Sequence, residues 1–173
     1  MRRWISPKNL LRLAAELAGE GAGPGSPRDT DLRRATSTAY YALFHRLALD
    51  TVVQVLPGAT DEELASLARQ VEHRAIKSVC EWIGGDTPPA HLTSVISRLR
   101  GNPEVTAVAQ TFVALQERRE EADYLHNAEF NRPATLALVR AGQRAVNRAW
   151  SLQGADETYQ SFLGLIAWRS SLR

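Results

Sequence analysis

Apolar residues at three- and four-residue steps, each run opened by a helix-start signal, dominate this chain and leave no stretch of strand alternation. The start signals are Ser6-Pro7, Ser26-Pro27-Arg28-Asp29, Thr60 with Glu63 three residues on, Asn102-Pro103-Glu104 and Pro133. In each, a side-chain oxygen can take an unpaired N–H of the first turn, or a proline stands where a missing N–H costs nothing. Breakers lie between the runs: the glycine-rich GEGAGPGSP from Gly19 to Pro27, Pro57-Gly58, Gly84-Gly85, Asp86 to Pro89, and Ser151 to Asp156. A chain built this way must bury stripe against stripe. The pattern predicts an all-α, antiparallel up-and-down helical bundle with short connections, no second domain and no internal repeat.

The stripes define a candidate core. Leu10, Leu13, Ala14 and Leu17 serve the first helix. Tyr40, Leu43, Phe44 and Leu47 serve a second, running to about Leu56, in which Ala35, Ala39 and Ala42 admit a close neighbour. A single helix is expected from Thr60 to Ile83, carrying Leu64, Leu67, Ala68, Val71, Ala75, Ile76 and Val79 inward. A short helix over His91 to Arg100 precedes a long one from Pro103 to about Asn127. Leu136, Val139, Val146 and Trp150 point inward from the next, and Tyr159, Phe162, Leu163 and Ile166 from the last. The single domain, residues 1–173, has its core over about 6–152 and an additional C-terminal helix over about 155–171.

Composition excludes several classes. At 44% hydrophobic residues in 173, the chain can bury a core, and no apolar run approaches the length that spans a bilayer. The start MRRWISPKNL lacks the apolar stretch of a secretory signal, so a cytoplasmic location is expected, with no membrane role. Cys80 stands alone among Ile76, Val79 and Ile83, which rules out an intrachain disulfide and reads as a buried structural thiol. His73 has no second histidine or carboxylate at a zinc-motif spacing, so no metal or other cofactor is expected. The net charge of +2 permits nucleic acid without announcing it. Lys8 and Lys77 are the only lysines, and the arginines that dominate suit bidentate phosphate contacts.

Two stretches carry different chemistry. In ERREEADYLHNAEF, Glu117 to Phe130, the stripe of Val105, Val108, Phe112, Leu115 and Ala122 places Arg119 and His126 in slots that call for core residues. They would lie about 10 Å apart along one helix face, pointing into a groove. A buried guanidinium needs an anion or a cleft, which points to a site; equally, the helix leaves the core there and Arg119 pairs with Asp123 at the surface. On the second helix Arg34, Thr38, Tyr41 and His45 line one side, either a solvated face or the wall of a polar cleft.

These two stretches resemble the HEPN superfamily of small helical bundles. LRRATSTAYYALFHRLA, Leu32 to Ala48, looks like its second helix, and RREEADYLH, Arg118 to His126, is similar to its signature of an arginine, four to six residues, then a histidine. The ADY triplet, Ala122 to Tyr124, is similar to one subgroup of small HEPN proteins. The resemblance implies a metal-independent endoribonuclease related to toxins or defence, with Arg119 and His126 catalytic in a site formed across a homodimer. Tyr124, Asp123, Glu120, Arg34, Tyr41 and His45 would contact RNA or support the site. It also implies other roles: a non-catalytic module that binds a nucleotide or a protein, or one chain of a pair with an antitoxin or small nucleotidyltransferase. A purely structural helical oligomer is the third class, and the extra C-terminal helix with Phe162, Ile166 and Trp168 is expected to extend an interface between copies.

Overall fold

The computed structural model describes residues 5–21, 25 and 27–171. These form α1 (Pro7–Leu17), α2 (Asp29–Val55), α3 (Asp61–Ala68), α4 (His73–Gly84), α5 (Thr93–Arg100), α6 (Pro103–Tyr124), α7 (Arg132–Leu152) and α8 (Glu157–Ser171), with one 3-10 turn at Ala90–Leu92. No strand occurs among the described residues.

The start signals act as their chemistry requires. Ser6 Oγ accepts from the Asn9 N–H at 3.4 Å, and Asn102 Oδ1 accepts from the N–H groups of Glu104 and Val105 at 3.0 and 3.2 Å. Thr60 and Glu63 exchange bonds at 2.8 and 3.3 Å, satisfying two N–H groups that helix geometry leaves unpaired. At α2 the Asp31 carboxylate accepts from the Arg28 N–H at 3.3 Å, while Ser26 lies outside the described residues.

The long helix α2 is the axis of the bundle, contacting α1, α3, α6, α7 and α8. Its Tyr40, Leu43, Phe44 and Leu47 are buried, and so are Ala35, Ala39 and Ala42. The alanines let α7 lie close: a Cβ added at Gly142 would stand 3.8 Å from the Ala39 carbonyl oxygen. Cys80 is fully buried, and that burial pushes its thiol well up.

Four expectations need correction. Thr60 to Ile83 is not one helix, because α3 stops at Ala68 and α4 begins at His73. No glycine or proline marks this break. Tertiary contacts hold it instead: the His73 ring stacks on Phe44 at 3.6 Å, and its Nδ1 lies 2.5 Å from the Tyr40 hydroxyl. The face of α1 is turned, with Leu11, Ala14 and Ala18 buried and Leu13 exposed. Trp150 is 51% exposed and Ala149 takes its inward place. The indole lies between two cations, Lys8 Nζ and Arg46 Cζ, each 4.7 Å from its ring, which suits a polarisable face better than the core does. Finally, Phe162 and Ile166 are fully buried beside Tyr159 and Leu163, so they offer nothing to an interface.

An ion pair ties α8 to this core. Arg46 meets Asp50 at 2.6 Å with both side chains buried, the Tyr159 hydroxyl donates to Asp50 at 2.8 Å, and Arg46 donates to Gln153 Oε1 at 2.6 Å. Burial pushes the Asp50 carboxyl up to about 6, although Arg46 and Tyr159 both pull it down. Replacing such a pair whole can be neutral, whereas removing one member leaves the other charge uncompensated. Asp50→Ala is therefore expected to cost about 3–5 kcal/mol, and Tyr159→Phe about 1–2 kcal/mol, in denaturant unfolding. Equal losses for the two would contradict the assignment.

Candidate functional site

The site begins with the way α6 ends. Arg33, on α2, reaches across to carbonyls of the last turn of α6 and of the loop after it. Its Nη1 donates to Ala122 O at 3.1 Å and Leu125 O at 2.9 Å, its Nη2 to Ala128 O at 2.6 Å, and its Nε to Asp29 at 2.6 Å. Arg118 donates to Glu129 O at 3.1 Å, and both guanidinium groups lie against the Phe130 ring, at 4.8 Å for Arg33 and 4.4 Å for Arg118. Charge-assisted bonds to carbonyls at a helix C-terminus also complement the macrodipole. The helix consequently stops at Tyr124, and His126 lies exposed in the turn that follows. The expectation that Arg119 and His126 share one helical stripe is thus corrected: α6 ends at Tyr124, and Arg33 donates to the Ala122 carbonyl that a further helical turn would pair with the His126 N–H.

Arg119 is half-buried where α6 meets α2. Its Nη2 donates to the Tyr41 hydroxyl at 3.2 Å, and its guanidinium carbon lies 5.9, 5.8 and 5.7 Å from the rings of Tyr40, Tyr41 and Tyr124. Asp123 Oδ2 stands 2.7 Å from Nε, but the N–H is not aimed at it, so the contact is ionic rather than a formed hydrogen bond. Ser37 Oγ donates to the other Asp123 oxygen at 2.8 Å. Burial alone would lower the Arg119 pKa, yet Tyr41 and Asp123 outweigh it and the net direction is upward, so the cation persists.

Its acidic neighbours in sequence point elsewhere. Glu120 faces Lys77 on α4 at 3.6 Å and accepts from Gln116 at 3.2 Å, while Glu121 pairs with Arg118. A groove of about 480 Å³ adjoins the cluster, lined by Arg34, Ser37, Tyr41 and Asp123 among others. Tyr124 is 68% exposed at the tip of α6.

His73, which has no metal-ligand partner at a sequence spacing, joins the site through α2. Tyr41 is the hub: its ring centroid is 6.2 Å from that of His45 and 6.1 Å from that of His73, and its hydroxyl holds Arg119. The row on α2 therefore divides. Arg34 and Tyr41 face the groove beside Arg119, whereas His45 lines a separate cleft of about 890 Å³ with His73, Arg69 and Arg74. Nothing local in sequence marks His73, because its partners come from α2. Arg33 was visible only as half of an arginine pair. No group of three or more metal-ligating side chains occurs among the described residues.

The fold and site together define an all-α bundle with an arginine–tyrosine cluster between α2 and α6 and an imidazole cleft beside it. No protein-family model, curated protein or solved structure matches the chain.

Arg33→Ala is expected to cost about 1–2 kcal/mol, because part-buried and exposed carbonyls at the end of α6 lose charged donors. It should also speed amide exchange at 125–129 more than elsewhere, and uniform exchange would oppose a local cap. A pH dependence follows from His45 and His73. Partial desolvation lowers both below the ordinary value of 6.5, even though the His73 residue keeps an exposed side, with Arg119 and His45 adding to the effect at His73. Below that value the unfolded chain takes up protons that these folded imidazoles refuse, so their contribution to stability is lost as pH falls. Asp50, raised from 3.8 to about 6, acts with opposite sign between those limits. Unfolding at pH 7.5 and 5.5 should accordingly show the doubly substituted His45→Gln, His73→Gln protein losing less stability on acidification than the wild type.

Proposed function

We propose that the chain is a HEPN-type, metal-independent endoribonuclease of the toxin or defence kind, working in a site formed across a homodimer. The observation that carries this reading is Arg119. Its charge is retained behind Tyr41 and Asp123, which line an open groove together with the exposed Arg34, and it is braced by Tyr41 and flanked by aromatic faces. Such a cation is suited to the charge that grows on phosphate oxygens during transesterification. The exposed turn leaves His126 free to face a second copy. One imidazole takes the proton of a ribose 2′-OH, and that oxygen attacks the adjacent phosphorus. The 5′-oxygen then leaves with a proton from the symmetry-related imidazolium, giving a 2′,3′-cyclic phosphate and a 5′-hydroxyl.

A second reading is favoured by a specific contact. Asp123 already occupies the Arg119 guanidinium and is itself held by Ser37, which suits a non-catalytic module that binds a nucleotide or a protein partner. A small nucleotidyltransferase would be one such partner.

The wild type should cleave mixed RNA in excess chelator and leave cyclic phosphate ends. His126→Ala should abolish cleavage, and Arg119→Ala should lower it about 10²–10³-fold, with both variants remaining dimeric by light scattering. A folded dimer that leaves RNA intact would move the assignment to the binding module.

A further inference from the structure

We propose that the cleft between α2, α3 and α4 is a binding site for a small ligand bearing an oxyanion on an apolar body, with His73 presenting a fixed Nε2–H donor to that oxyanion. The site is separate from the Arg119 groove and does not depend on RNA cleavage.

The cleft measures about 890 Å³, within the range of about 300–1,000 Å³ usual for small-molecule sites. Phe44, Leu49, Ala65, Ala68 and Val71 supply its apolar wall. Its polar side is set by one hydrogen bond, 2.5 Å between the Tyr40 hydroxyl and His73 Nδ1. Tyr40 is almost wholly buried and that burial pushes its phenol well up, so the hydroxyl keeps its proton; among the described residues His73 Nδ1 is the one side-chain atom it pairs with, and on that geometry we assign the hydroxyl as donor to Nδ1. With that assignment the neutral ring carries its hydrogen on Nε2. Protonating His73 would reverse the Tyr40 bond, take away the acceptor of the phenol proton, and place a partly desolvated charge near Arg119 and His45, which agrees with the lowered pKa. The parallel stack on Phe44, at 9° and 3.6 Å, holds the ring in plane. The edge turned from Tyr40 therefore faces the cleft as a donor that does not switch off near neutral pH.

The break between α3 and α4 creates this geometry. It places Arg69 at the end of one helix and Arg74 in the first turn of the next, both exposed at the cleft. Among the described lining residues, two cations against the Glu72 carboxylate give net +1 with neutral imidazoles, the sign an anion requires. Departure from a regular helical pattern at the same point as a fixed imidazole is the kind of local inconsistency that functional sites tolerate.

Carboxylates and phosphate monoesters share the required chemistry, and benzoate and phenyl phosphate separate them. Long-range proton–nitrogen NMR of the full chain at pH 7 should show His73 as the neutral Nε2–H tautomer, a reading that needs no variant. Titration with the two probes should move the His73 and His45 signals with at least one of them. Response to phenyl phosphate alone identifies the phosphate class, and response to benzoate alone the carboxylate class. His73→Ala and Arg74→Gln should each weaken binding about tenfold, while His126→Ala leaves it unchanged whether or not the protein cleaves RNA. A protonated or Nδ1–H His73 in the free protein would overturn the proposal, and so would imidazole signals that neither probe moves at millimolar concentration.

Discussion

The guanidinium of Arg33 sets where the longest candidate stretch stops being a helix. Five backbone carbonyls from the end of α6 and the loop after it converge on one side chain of α2. Without that convergence the hydrophobic pattern through Ala122 would invite another turn, and His126 would fall on the Arg119 face. With it, the chain bends away at Leu125 and Phe130 is folded back under two arginines. A single long-range interaction thus decides which residues are neighbours and which are merely close in sequence. Because the donor is charged and the acceptors are at a helix C-terminus, this is a strong form of such a contact.

A second constraint is the tyrosine pair. Tyr40 is core and turns its hydroxyl to His73; Tyr41, one residue on, is half-buried and turns its hydroxyl to Arg119. Successive residues on a helix point about 100° apart, so one dipeptide serves two cavities. That geometry explains why the polar row on α2 is not one surface. Arg34 and His45 lie on the same side by period but open onto different clefts, divided by the packing of α4 and α6 against Tyr40 and Tyr41.

Much of the architecture was legible from local chemistry. Caps at Ser6, Thr60 and Asn102 are decided within a few residues, and the buried faces of α2, α6 and α8 follow the helical period through Tyr40, Phe112 and Phe162. What escaped depends on partners distant in sequence. The stop after Ala68, the outward turn of Trp150, the inward turn of Leu11 and the end of α6 at Tyr124 each answer to a contact made by another helix. The site was half legible for the same reason. Arg119 stood out because a cation on an apolar stripe is anomalous alone, and its pairing with Asp123 followed from spacing. His73 carried no anomaly until α2 supplied Phe44 and Tyr40.

Cys80 gives the molecule a built-in clock. Its sulfur is the only thiol in the chain, it is fully enclosed, and burial suppresses the reactive thiolate. An aqueous thiol reagent can reach it only when the structure opens, so the labelling rate counts openings rather than surface collisions. The cysteine lies on α4, whose first residue is moored to α2 through His73 and whose body packs on α6 and α8. Reaction at one sulfur therefore times the detachment of α4 from the core.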